Sequence, residues 1–318
     1  MTAPQRPRVP RRAIDGVLLL DKPIGLSSND ALIRAKRLYL AKKAGHTGTL
    51  DPLATGLLPL CFGEATKFSQ DLLEADKTYE ATMRVGIRTT TGDAEGEAVD
   101  IRAVECDEAA VRAALRQFHG EILQIPPMYS ALKRDGKPLY EYARAGQTVE
   151  REARQVTIAA LELIACALTD VTFRVTCSKG TYVRTLAEDI GEALGCGAHL
   201  IALRRTGVGA LTLEHAVTLD ALSDATQSAR DRWLQPVDAL LSTFPQVCLN
   251  DDDTRRFSHG QRLKLSTLEI TSTALQASRV RVYSADGRLL GVAKPGDGVL
   301  APERLVVTSE SDTEHVES

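Results

Sequence analysis

At 318 residues, with 43% hydrophobic and 25% charged residues, the chain has a globular composition and length enough for one large domain plus a small one. No stretch approaches the roughly 18 apolar residues that span a bilayer, the first dozen residues lack a signal-peptide core, and six scattered cysteines without a C-x-x-C pair indicate neither a zinc ribbon nor a disulfide framework, so a cytoplasmic location is expected. The net charge of −3 excludes a uniformly basic nucleic-acid binder, yet the charge is unevenly spread.

Arg6, Arg8, Arg11 and Arg12 lie in a Pro-rich arm, residues 1–13, expected to be disordered. Residues 16–21 read as a buried strand closed by Lys22-Pro23, and Ser27 or Ser28 caps a helix carrying Ala31, Leu32, Ala35 and Leu38 at helical spacing. Arg34, Lys36, Arg37, Lys42 and Lys43 then form a second basic cluster with no acid among them.

Directly after it comes the stretch 44–58, where Asp51 stands alone among Gly45, Gly48, Gly56, His46 and several threonines. The glycines allow backbone approaches that a Cβ forbids, and Pro52 pushes Asp51 toward an extended conformation. Asp51 therefore sits at the end of a loop. One reading makes it the N-cap of a short helical turn with Pro52 at its first position. Another, compatible with the first, makes it a positioned carboxylate for nucleophilic catalysis.

Residues 57–62 suggest a strand, 65–73 a helix, and 77–86 a half-buried strand with Tyr79, Ala81, Met83 and Val85 on one face. Residues 89–107 are acidic and read as an exposed loop or hairpin, followed by a helix over 107–118. Between 125 and 154, Tyr129, Tyr140 and Tyr142 interleave with Lys133, Arg134, Lys137 and Arg144. That mixture suits RNA, with cations for phosphates and rings for bases; a surface helix with an aromatic stripe is the plain alternative. Strands are predicted at 156–168 and 170–177, then a helix in which Leu186, Ile190 and Leu194 recur every four residues until Gly195, then a strand over 199–208. Helices around Leu219 and over 231–241 complete the larger unit of residues 14–245. A small β-rich domain spans 246–308, and 309–318 form an acidic tail expected to be disordered.

The run Gly45-His46-Thr47-Gly48-Thr49-Leu50-Asp51-Pro52-Leu53-Ala54-Thr55-Gly56-Leu57-Leu58 resembles the signature of the TruB family of tRNA pseudouridine synthases, with every fixed position present. The resemblance implies that Asp51 is the catalytic residue. It implies further that Tyr79 stacks on the target base, that Tyr182 and Arg184 belong to a Gly-Thr-Tyr-x-Arg motif with Arg184 paired to Asp51, that His46 contacts RNA near the flipped nucleotide, and that Leu203 lines the base pocket. Lys22-Pro23 matches a motif read as structural, and 125–154 an element that grips RNA. Apart from the family, Tyr79, Tyr182 and Leu203 read as core residues and His46 as a loop hydrogen-bonder.

The implied fold is α/β (α+β), a pseudouridine-synthase fold with a mixed, mainly antiparallel central sheet flanked by helices, plus the small C-terminal domain as a PUA-like module. The implied reaction is isomerisation of uridine 55 in the T loop of tRNA, after the nucleotide is flipped out at a cost of a few kcal/mol. Asp51 serves either by attacking the sugar carbon or by assisting loss of a sugar proton. No net oxidation occurs, and no G-x-G-x-x-G after a strand, P-loop or H-E-x-x-H is present, so no cofactor and no metal are assigned. The expected partner is tRNA through its T stem-loop, and the expected state a monomer. Three rivals remain at this point: a relative acting on another RNA, an RNA-folding factor, and a glycoside hydrolase, which would need a second carboxylate.

Overall fold

The computed structural model describes residues 10–167 and 169–307. Residues 1–9 of the expected arm, Leu168 of one expected strand and the expected acidic tail lie outside the described residues. Strand β1 (Gly16–Lys22) is apolar over 17–20 because both its faces are buried there. Ser27 caps α1 (Ser28–Leu38), its Oγ accepting from the Asp30 N–H at 3.1 Å, while Ala31 and Ala35 turn inward. After β2 (Ala44–His46) and the Asp51 loop, the chain enters β3 (Ala54–Phe62) directly.

The helical turn expected after Asp51 is therefore absent: the Asp51 carbonyl accepts from the Ala54 N–H at 3.1 Å, and at Gly56 β3 is paired on both edges, with Lys22 and with Arg205. A strand held from two sides outcompetes a single helical turn. The helix expected over 65–73 is also divided. A 3₁₀ turn (Gly63–Lys67) and the short α2 (Ser69–Leu73) flank Phe68, which is fully buried.

Next come β4 (Lys77–Val85), the hairpin β5 (Ile87–Thr89) and β6 (Ala98–Ile101), α3 (Glu108–Gln117) capped by Asp107, and β7 (Gly120–Gln124). A small hairpin, β8 (Lys133–Arg134) with β9 (Lys137–Pro138), leads into α4 (Leu139–Arg144). Strands β10 (Arg154–Ala167) and β11 (Asp170–Cys177) precede α5 (Val183–Ala193), which stops before Gly195 at φ +81°. Then follow β12 (Ala198–Val208), β13 (Leu211–Thr212), β14 (Val217–Thr218), α6 (Leu219–Asp224) and α7 (Gln227–Asp231). The helix expected over 231–241 does not form. Gln235 bonds both ways to the backbone of Val17 at 2.8 Å, and Pro236, which has no N–H, starts only a 3₁₀ turn (Val237–Leu241).

These strands make a ten-stranded sheet in the order β14-β1-β3-β12-β4-β11-β10-β7, with β2 added to β3 and β13 to β12; only β1–β14 and β3–β12 are parallel. This is the mixed, mainly antiparallel sheet that the family resemblance implied. Helices α3 and α5 cover one half of it, and α1 and α6 pack on β1 and β3.

The C-terminal part is β-rich: β15 (Gln246–Leu249), β16 (Leu263–Lys264), β17 (Val280–Ser284), β18 (Leu289–Gly296) and β19 (Val299–Leu305) form a sheet in the order β15-β17-β18-β19-β16. It also carries α8 (Asp251–Ser258) and α9 (Ser272–Gln276), which the sequence reading lacked. This part is seated firmly on the large sheet. Val292 joins the cluster of Leu57, Leu72 and Leu240, and Arg279 pairs with both Asp71 and Glu303.

Arg12 corrects the expectation for the basic arm. Its guanidinium grips Asp231 at 2.6 and 3.0 Å while its backbone pairs with Leu40 and Lys42, so the chain around it is fixed. No helix among the described residues is long and apolar enough to cross a membrane.

Candidate active site

The loop bearing Asp51 is tied down at both ends and in the middle. The Thr47 N–H bonds to the Pro59 carbonyl at 3.1 Å and the Gly25 N–H to the Pro52 carbonyl at 2.8 Å. Buried Ser28 brackets Leu50, accepting from its N–H at 2.7 Å and donating to its carbonyl at 3.0 Å. Arg205, 1% exposed, spans the loop from beneath by donating to the Gly48 carbonyl at 3.1 Å and the Leu57 carbonyl at 2.8 Å. Gly48 and Gly56 leave the room: a Cβ on Gly56 would sit 2.3 Å from the Arg205 carbonyl oxygen. Lys22 is fully buried and donates to the carbonyls of Pro23 and Leu26 at 2.9 and 2.7 Å, fixing the turn that supports Pro52. Burial lowers its ammonium to about 8, partly offset by the negative charge of Asp51.

The Asp51 side chain remains 43% exposed and meets Arg184 at 2.9 Å. Arg184 comes from the first turn of α5, far away in sequence, and is itself buried. It also donates to the Thr91 carbonyl at 3.1 Å and the Tyr129 carbonyl at 2.7 Å, and stands 3.5 Å from Asp93. The guanidinium fork thus collects two carboxylates and two carbonyls. Asp93 was expected within an exposed acidic segment, but the hairpin after β4 folds back and leaves it 3% exposed.

Tyr79, Tyr182, Leu203 and Arg205 line a cavity of about 590 Å³ that Asp51 and Arg184 border. Tyr79 and Leu203 reach it from the neighbouring strands β4 and β12. Tyr182 is held there by Gln124, whose amide bonds both to the Tyr182 N–H at 3.0 Å and to its carbonyl at 3.3 Å. Burial raises the hydroxyls of Tyr79 and Tyr182 above the ordinary tyrosine range, so both stay protonated donors.

A second cavity, about 460 Å³, opens on the other side of Asp51 and is lined by Asn29, His46, Glu95, Tyr129, Tyr140 and Arg144. Burial lowers the His46 imidazole, leaving it neutral, and its Nδ1 has no partner among the described residues. Arg144 lies over the Tyr140 ring at 5.3 Å and Lys137 over Tyr142 at 4.7 Å. The rival glycosidase reading lacked a second carboxylate in the loop itself; the structure brings Glu95 to this cavity, where burial holds its carboxyl above the usual range.

The structure thus gathers Asp51, Tyr79, Tyr182, Arg184 and Leu203 around one cavity and sets His46 in the adjoining one. Sequence reasoning missed Ser28, Asp93, Gln124 and Arg205. Arg205 carried a usable signal, a cation next to Arg204 inside a predicted strand. The others carried none, because their roles depend on partners at least 22 residues away.

A twisted mixed sheet with one loop-borne carboxylate beside a nucleoside-sized, aromatic-walled cavity is the architecture of a pseudouridine synthase. Among solved structures, a chain of a Cbf5-Nop10-Gar1 complex matches with a TM-score of 0.71 at 28% identity, covering 91% of this chain and 84% of that one. An H/ACA RNP bound to a substrate RNA containing 2'-deoxyuridine matches with a TM-score of 0.70 at 25% identity, covering 93% and 86%. Family models for the TruB family pseudouridylate synthase N-terminal domain match residues 36–183, for the tRNA pseudouridylate synthase B C-terminal domain 184–242, and for the pseudouridine synthase II TruB C-terminal region 245–306. A tRNA pseudouridine synthase B of Burkholderia lata is 80% identical over 96% of this chain and 95% of that protein. Its counterpart in Ralstonia nicotianae is 66% identical over 95% and 97%. The chain belongs to the TruB family.

Proposed function

We propose that this protein isomerises uridine to pseudouridine at position 55 in the T loop of tRNA, with Asp51 as the catalytic residue. The observation that carries the reading is the Asp51–Arg184 pair at 2.9 Å on the rim of the cavity lined by Tyr79, Tyr182 and Leu203. A uridine everted into that cavity brings its glycosidic bond to the carboxylate. The N1–C1′ bond breaks, the base turns within the walls, C5 bonds to C1′, and the C5 proton leaves to solvent while N1 gains one. No electron is gained or lost overall. Tyr79 stacks on the base and Leu203 closes the apolar side. Tyr182 and Arg184 position base and carboxylate, and His46 offers its unpartnered nitrogen to the RNA outside the pocket. The cation–aromatic pairs of 137–144 grip the loop nucleotides.

We assign residues 14–245 to the catalytic domain and 246–308 to the small C-terminal domain, and we expect a monomer in the cytoplasm. The test is chemical mapping of pseudouridine in an unmodified tRNA transcript after incubation with the protein. A new modification at position 55 and at no other uridine supports the assignment; modification elsewhere, or none, overturns it.

A further inference from the structure

We propose that the outer face of α1 and the turn following it form a landing surface for the phosphates of a paired RNA stem, separate from the elements that hold the unpaired loop. This inference rests on the functional reading above and extends it to the partner's shape.

Between Asp30 and Asp51 the chain contains no acid but places Arg34, Lys36, Arg37, Lys42 and Lys43. All but Lys36 are exposed. Several surface cations elsewhere are neutralised in place: Arg84 by Asp170, Arg174 by Glu80, Arg204 by Asp21, and Arg102 by Asp100 and Glu192. Those of the α1 face have no carboxylate within 4 Å among the described residues. The fixed strand at Arg12 lays exposed Arg11 alongside 40–42, whereas the charge of Arg12 itself is consumed by Asp231. An array of uncompensated like charges repels itself, and a polyanion that displaces its counterions removes that cost.

Placement ties the face to the site. The first residue of α1, Ser28, clamps Leu50 beside Asp51, and Asn29 lines the second cavity. At the other end, Lys43 is followed within three residues by His46, which lines the same cavity. An 11-residue helix is about 16 Å long. At about 1.5 Å per residue, Arg34 and Arg37 stand roughly 9 and 14 Å along the helix axis from Ser28, away from the catalytic loop.

Composition decides which part of the RNA they meet. The face has no exposed aromatic ring, so it offers bases nothing to stack on, while the 129–144 segment pairs each of two tyrosines with a cation. Rings with cations suit unpaired bases; cations alone suit the backbone of a duplex.

The test compares the wild type with a variant carrying Arg34→Gln, Arg37→Gln, Lys42→Gln and Lys43→Gln, and with the milder pair Lys42→Gln and Lys43→Gln. Binding of tRNA and of a stemless loop oligonucleotide is measured from about 50 to 200 mM salt. Kinetic constants for pseudouridine formation on tRNA are measured alongside. The fourfold variant is expected to lower the slope of log Kd against log salt by about 3, the pair by about half as much, with the loss of activity falling on KM. Arg116→Gln, on α3, is the control and leaves the slope in place. Wild-type slopes in both variants, or equal weakening for the stemless oligonucleotide, overturn the inference. In either case pseudouridine formation by the wild type still reports on the site itself, so the two readings fail separately.

Discussion

Replacing Arg184 by Met removes the group that, among the described residues, pairs with both Asp51 and Asp93. Two terms set the cost. In stability, Asp93 is left 3% exposed with its ion pair gone, and the Thr91 and Tyr129 carbonyls lose charged donors. Removing one partner of a buried pair costs about 3–5 kcal/mol. The 3.5 Å separation from Asp93 and the half-exposed state of Asp51 place this case at the lower end, about 3 kcal/mol. At roughly 1.5 °C per kcal/mol for 318 residues, the melting temperature falls by about 4–5 °C. In catalysis, the lost bond is a charged one that orients Asp51, worth about 1.5–3 kcal/mol, or roughly 10–150-fold in rate. Arg184→Lys keeps the charge but cannot satisfy two carboxylates and two carbonyls at once, so it falls between wild type and Met. Single-turnover release of tritium from tRNA labelled at uridine C5, with calorimetry on the same samples, measures both terms. A Met variant within twofold of the wild-type rate would show that Asp51 needs no such partner.

Three further outcomes follow from the geometry. Gly56→Ala introduces a side chain at φ +95° and 2.3 Å from the Arg205 carbonyl, so a loss of more than about 3 kcal/mol is expected in urea titrations; a midpoint equal to wild type would contradict the β3–β12 register. Tyr79→Leu keeps an apolar wall but removes the stacking ring, and should weaken productive binding of RNA by about 1–3 kcal/mol while leaving the fold intact; unchanged kcat/KM would remove Tyr79 from the pocket's function. For Lys22, burial lowers the folded-state value to about 8 against 10.5 unfolded. Between those values the unfolded chain holds a proton the folded chain has released, so stability rises with pH, by up to about 3 kcal/mol in total. Urea midpoints at several pH values from 8 upward should rise more steeply in the wild type than in Lys22→Met, which keeps only the smaller rise from Lys77, also lowered by burial; parallel profiles would refute it.

The catalytic loop was legible because its chemistry is contiguous: glycines, Pro52 and Asp51 fall within a dozen residues, and no folding is needed to see them together. The long strand β4 was legible from alternation, β10 and β11 as two strands about a short turn, and α5 from its apolar spacing and terminal glycine. What stayed hidden depended on pairing at a distance. The turn after Asp51 reads locally as a helix start, yet Lys22 and Arg205 claim Gly56 for the sheet. Residues 231–241 have helical composition, yet Val17 captures Gln235. Asp93 sits in a segment whose acidic composition says solvent, and only the fold turns it toward Arg184. Charge composition likewise concealed how Arg12 is used, since its partner Asp231 is 219 residues away.

The most direct test of Asp51 is its replacement by Asn, which preserves size and the loop's backbone bonds but not the negative charge. Tritium release and tRNA binding are measured on the same preparation. The account predicts RNA bound with near wild-type affinity and no label released. Label released at the wild-type rate by Asp51→Asn would contradict it.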